Sequence, residues 1–242
     1  MNPPPIPNPS PKIPGRFTFE PMPDGGSPVG IIEALLKYPG RIIHELQHNW
    51  RAALSAWLLV LALIGMSIYG LVVGSFSGGS QMWIAPAKLA LGTVLSTLIC
   101  LPSLYIFACL SGIDVRLRTV SGVLFAAICL GALLIIGFAP VAWIFSQSTD
   151  SIAFMGALHL ILWAIGISFG LRLIDTMSQL LSGSARHHLK LWALIFVVVC
   201  LQMMTTLRPI IGTAKHFLPG EKKFFLAHWF ETIAGVDNSK TK

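Results

Sequence analysis

The chain has 242 residues, 54% hydrophobic and 11% charged, with a mean hydropathy of +0.73 and a formal net charge of +7. A soluble domain carries about 25% charged residues, so the polar side chains here are too few to cover a water-soluble enzyme of this size. The same figures exclude a disordered chain, and four cysteines in 242 residues do not make a disulfide-built secreted module.

Residues 1–28 hold ten of the sixteen prolines. Proline fixes φ and lacks an amide donor, so neither a helix nor a sheet interior forms there. The stretch reads as an extended, solvated tail, and its composition also fits a ligand for a proline-recognising partner. It lacks an apolar h-region behind a basic start, so it does not read as a cleavable signal peptide.

From 29 to 52, Ile31, Ile32, Leu35 and Leu36 recur at helical spacing, followed after Pro39 by Ile42, Ile43 and Leu46. The pattern predicts two short amphipathic helices broken near Pro39 and lying in a membrane interface, with Trp50 and Trp57 at the entry to the bilayer.

Five apolar runs follow, at about 53–76, 87–110, 120–145, 152–171 and 189–207. A span needs about 20 apolar residues, and these meet or approach that length. Lys88, at the edge of the second run, is expected to snorkel its amine to water. The loops are expected at 77–86, 111–119 and 146–151, and 172–190 can extend the fourth helix beyond the hydrocarbon. Short loops favour antiparallel neighbours in a bundle. Residues 208–242 form a C-terminal tail in which Phe224, Phe225, Trp229 and Phe230 beside Lys222 and Lys223 predict a surface-lying aromatic amphipathic segment.

The basic residues flank the apolar runs. Lys37, Arg41, Arg116, Arg118, Arg172 and Lys190 fall on one side, which by the positive-inside rule is the cytoplasm and places the N-terminus there. Five spans put the C-terminus on the opposite side. Cations in these positions suit anionic lipid headgroups and carry no nucleic-acid footprint.

Few constellations suggest chemistry. The four cysteines (Cys100, Cys109, Cys129, Cys200) lie in apolar stretches with no CxxC spacing and read as small hydrophobes. Nucleotide-binding, hydrolase and zinc-protease motifs are absent, and Met203 and Met204 point about 100° apart on a helix, unsuited to one metal. No catalytic, cofactor-binding or metal-binding residue is therefore expected.

His159 is an ionisable residue well inside a span, and so a candidate functional group. Its alternative role is a neutral imidazole bonded to a carbonyl or hydroxyl of a neighbouring helix. Arg172 and Asp175, three apart, can pair on one helix face. Pro102 and Pro140 free the carbonyls of Leu98 and Ile136, which can line a solute path or merely shape the bundle, with Ser103 and Ser146 near enough to re-satisfy backbone. Gly70 with Gly74, and Gly166 with Gly170, have the spacing that lets helix backbones approach, within one chain or between two copies.

Five strings together resemble the Yip1-type and Yip1-like five-span membrane proteins, bacterial members in particular. They are KYPGRIIHELQHNW before the first span, AKLALGTVLSTLICLPSLYIF, GIDVRLRTVSG, FAPVAWIFS, and TTLRPIIG, with its Arg208, after the last span. The resemblance covers about residues 29–215. It implies a non-enzymatic membrane protein acting through helix packing and partners, and it assigns no active site.

These readings predict an all-α, polytopic membrane helix bundle with five spans in a bacterial inner membrane. The glycine faces, the amphipathic entry helices and the lack of buried charge point to a scaffold or membrane-organising subunit. Its partners would be the lipid bilayer and a second copy or another membrane protein. The alternative is a small-solute channel or transporter subunit with a path along Pro102, Pro140 and His159.

Overall fold

The computed structural model describes residues 20–22, 27–48, 52–149, 151–181 and 186–206. All regular structure among them is helical, in seven elements. Residues 1–19 and 23–26 of the proline tail, Trp50, Arg208 and the aromatic C-terminal segment lie outside the described residues, while Pro28 opens the first helix.

Helix α1 (Pro28–Lys37) starts where Ser27 accepts a hydrogen bond from the Gly30 amide at 3.1 Å, with Pro28 in the first turn. It stops at Tyr38 because the next residue is proline, which biases its predecessor out of the helical region. Helix α2 (Pro39–His48) restarts at once. Ile31, Leu35, Ile42, Ile43 and Leu46 are all buried in the main core, against Val120 and Leu124 among others. Their apolar face therefore packs on protein, whereas the sequence reading gave it to the bilayer. Leu46 closes over Gly122, where a Cβ would sit 2.5 Å from Leu46 Cδ2, and Thr119 Oγ1 donates to the Leu46 carbonyl at 3.3 Å.

Helices α3 (Ala52–Ser77), α4 (Gln81–Leu110), α5 (Leu117–Ser148) and α6 (Ile152–Leu181) follow. Within them, four stretches of 26 to 32 residues, with mean hydropathy between 1.9 and 2.6, are long and apolar enough to cross a membrane. Outward-facing apolar side chains occur on each: Ile64 on α3, Leu98 and Ile106 on α4, Ile144 on α5, Ile161 on α6. Water would not tolerate so continuous an apolar exterior, and hydrocarbon does. Helix α7 (Arg186–Thr206) is shorter, with an apolar stretch over His188–Met203.

The connections are tighter than the sequence suggests. Only Gly78, Gly79 and Ser80 join α3 to α4, because both glycines take positive φ (64° and 56°) and reverse the chain at once. Pro86, expected in a loop, consequently falls inside α4.

Helix α3 packs against both α4 and α5; α6 packs on the far side of α5, and α7 on the far side of α4. Contact between α6 and α7 is slight. Among the described residues the neighbours therefore run α6–α5–α3–α4–α7, with little contact between the two ends of that series.

Candidate functional site

Lys88 lies in the second turn of α4, and its exposure is 0%. The expected exposure of its amine to water is not seen, and α3 docks closely on the start of the same helix. Gly70 brings its backbone against the Pro86 Cα, and a Cβ on Gly74 would stand 2.6 Å from the Gln81 carbonyl oxygen. Backbones this close leave no channel between α3 and the start of α4. Burying an ammonium among apolar helices is costly, so an intramembrane cation marks a functional candidate.

Lys88 lines a cavity of about 90 Å³ to which α3, α4, α5, α6 and α7 contribute. A single water needs roughly 10–15 Å³ by that measure, so the space holds several waters or a small organic group. Among the described residues of the lining, Lys88 is the one that carries a formal charge. Thr93, Ser96 and Thr97 add hydroxyls from the same helix, and Leu124, Ile135, Trp163, Ile167 and Phe196 make apolar walls. Thr93 Oγ1 donates to the Leu89 carbonyl at 2.8 Å and Thr97 Oγ1 to the Thr93 carbonyl at 2.6 Å. Their protons are spent on the helix, so both oxygens act as acceptors. The sequence does carry a signal for this face: Lys88, Gly92 and Ser96 recur every four residues, as do Leu89, Thr93 and Thr97.

His159 does not line the cavity. Its Nδ1 stands 2.6 Å from the Tyr69 hydroxyl, joining α6 to α3, and the two rings meet edge to face with centroids 5.5 Å apart. The pair sits beside Val73, Ile135 and Leu162. His159 Nε2 is buried without a hydrogen-bond partner among the described residues. With Tyr69 donating, Nδ1 accepts and a neutral ring carries its proton on Nε2.

Pro102 and Pro140 are exposed on the outside of α4 and α5, away from the cavity. Ser103 Oγ donates to the Cys100 carbonyl at 2.8 Å, and Ser146 Oγ to the Trp143 carbonyl at 2.6 Å, so neither hydroxyl serves a proline-freed carbonyl. Trp192, which the sequence reading passed over, is fully buried and donates from Nε1 to Ser103 Oγ at 3.1 Å and the Cys100 carbonyl at 3.3 Å. This pins α7 to α4.

Arg172 and Asp175 do not pair. The Arg172 guanidinium lies 5.3 Å from the Phe169 ring centre, and Asp175 accepts from Gln179 Nε2 at 2.8 Å. Both line a cleft of about 280 Å³ between α6 and α7, together with Ser168, Lys190 and Trp192. Leu171 and Ile174 line this cleft and the interior cavity alike, so the two spaces adjoin.

The glycine pairs are spent inside the molecule. Gly166 abuts the Gly131 carbonyl oxygen, 3.0 Å from a built Cβ, and Gly170 the Ala127 carbonyl oxygen at 2.6 Å. Among the described residues no group of three or more His, Cys, Asp or Glu could hold a metal ion.

Comparison with family models, curated proteins and solved structures returns no match. The functional reading therefore rests on the residues and their geometry.

Proposed function

We propose that this chain is a non-enzymatic, multi-pass protein of a bacterial inner membrane that takes up a small solute within its helix bundle. In this reading α7 is a fifth span, α1 and α2 cap the cytoplasmic end of the bundle, and the C-terminus lies on the opposite side. The observation that carries it is the fully buried Lys88 in the wall of a five-helix cavity. An ionisable side chain inside an apolar helix bundle is a functional candidate by default.

A scaffold role has less support than the sequence gave it. The glycine stripes are used within the bundle, Ile31 and Leu35 of α1 and Ile42, Ile43 and Leu46 of α2 are buried while Leu36 stays exposed, and an ionisable side chain is buried after all. The solute path proposed from the sequence also changes course, since it runs past Lys88 and Ser96 and not past Pro102, Pro140 or His159. The Yip1-like likeness remains compatible with this architecture and adds no site.

Cysteine accessibility tests the reading. In a chain lacking its four native cysteines, Ser96→Cys should react with a small water-soluble thiol reagent while lipid-facing Leu98→Cys should not. Equal inertness of both positions would mean a dry packing defect and would contradict solute uptake.

A further inference from the structure

We propose that the outward cleft between α6 and α7 seats one anionic diacyl phospholipid, its phosphodiester held by Arg172 and Lys190 and its acyl chains lying along both helices. Arg172 and Lys190 are exposed, so the site opens to the surroundings of the bundle and does not depend on solute uptake.

The head is placed by two cations from different helices. Arg172 and Lys190 line one cleft of about 280 Å³, and neither forms an ion pair among the described residues. The Arg172 guanidinium rests 5.3 Å from the Phe169 ring centre, a contact that steadies the side chain without neutralising its charge. Asp175, the one carboxylate of the lining among the described residues, is engaged by Gln179 at 2.8 Å. The sequence holds no further carboxylate between Asp175 and Glu221, while Arg186, Lys190, Arg208 and Lys215 fall in that stretch. The excess of positive charge is thus written into the chain here. Basic pockets between spanning helices at the membrane surface select anionic headgroups.

The depth of the cations agrees. Arg172 stands 20 residues beyond Ile152, the first residue of α6. At about 1.5 Å per residue that is about 30 Å, the thickness of bilayer hydrocarbon. With Ile152 at one surface, Arg172 emerges at the phosphate level of the other. Helix α6 continues to Leu181 and α7 begins at Arg186, so both rise past that level and wall the headgroup.

The acyl chains are placed by the faces that flank the cations. Ile161, Ala164 and Ser168 are exposed on the Arg172 face of α6, and the Ser168 hydroxyl is spent on the Ile165 carbonyl at 2.7 Å. On α7 Leu191, Leu194, Ile195 and Val198 are exposed at helical spacing. Contact between the two helices is slight, so these stripes border a furrow in which a hydrocarbon chain gains dispersion contacts on both sides. A free phosphate would use the cations alone, and salt would screen it from them.

The test uses the full chain in phosphatidylcholine vesicles doped with a phosphatidylglycerol that carries a diazirine on one acyl chain. Cross-links are mapped by mass spectrometry. Label is expected beside the cleft, at residues such as Ala164 and Leu194. A phosphatidylcholine probe of the same chain should label these residues about tenfold less. Excess unlabelled phosphatidylglycerol should displace the label and inorganic phosphate should not. The double variant Arg172→Gln/Lys190→Gln should lose label by about tenfold, whereas Arg116→Gln, which removes an exposed cation before α5, should keep it. Asp175→Asn, which removes the opposing carboxylate, should strengthen labelling. If the double variant fails to fold, either single substitution should still lower labelling by about threefold or more. Label spread evenly over outward residues such as Leu98 and Ile106, equal labelling by the two probes, displacement by inorganic phosphate, or undiminished labelling of the folded double variant would overturn the proposal.

Discussion

Gly70 of α3 and Pro86 of α4 meet backbone to backbone, with no room between them for a single methyl group. This contact fixes the start of α4 against α3.

Gly70→Ala is therefore expected to destabilise the bundle strongly, by about 1–3 kcal/mol or more, since the clash is with backbone that cannot rotate away. Gly137→Ala is the control: a Cβ there meets nothing within 4 Å, and helix propensity favours alanine by up to about 1 kcal/mol. Thermal unfolding in detergent, followed by circular dichroism, should separate the two in opposite directions.

Trp192 anchors α7 through apolar area and a hydrogen bond together. Trp192→Phe keeps most of the area and is expected to cost about 1 kcal/mol, whereas Trp192→Ala should cost about 3–5 kcal/mol. Equal losses for the two variants would mean that the indole N–H, not the packing, holds α7 to α4.

Tyr69 and His159 should behave as one unit. A double-mutant cycle with Tyr69→Phe and His159→Leu is expected to show a coupling of about 0.6–1.7 kcal/mol, the range seen for hydrogen bonds between spanning helices. Additive effects would show that the 2.6 Å contact contributes nothing of its own.

On α1 the exposed Glu33–Lys37 pair, 2.9 Å apart, gives a pH signature outside the membrane. The hydrogen bond from Lys37 and its charge hold the Glu33 carboxyl below its ordinary value of 4.5, and Glu33 in turn raises the Lys37 amine above 10.5. Glu33 thus lends stability above the ordinary carboxylate range that is lost as pH falls through its lowered pKa. Lys37 lends stability below the ordinary lysine range that is lost as pH rises through its raised pKa. Between those limits the contribution is flat, and solvent screening keeps it small. Carbon-detected NMR titration of Glu33 should show the depressed midpoint, and Lys37→Met or 1 M salt should move it back.

Much of this architecture is legible in the chain. Length and apolarity locate α3 and α5 to within three residues but miss the first six residues of α4 and end the fourth apolar run ten residues before the end of α6, and Pro39 marks the break between α1 and α2. What escapes is set by partners far away in sequence. A lysine near the end of an apolar run reads as snorkelling; its burial is set by tertiary packing that no local pattern shows. Arg172 and Asp175 have the spacing of an ion pair, yet Phe169 and Gln179, one turn away on either side, offer each a better neighbour. Trp192 has no local pattern at all, since its acceptors lie 92 and 89 residues earlier. Pro102 and Pro140 are conspicuous as letters, and both turn outward.

Residues of α7 line the cavity, and in the proposed reading α7 is a fifth crossing. Reporter fusions test this directly, with green fluorescent protein, which fluoresces only in the cytoplasm, and alkaline phosphatase, active only outside, each joined after Lys242. Five crossings from a cytoplasmic N-terminus predict an active phosphatase and a dark fluorescent protein at that site. A fluorescent C-terminal fusion with inactive phosphatase, alongside a cytoplasmic N-terminus, would mean four crossings and would contradict the account.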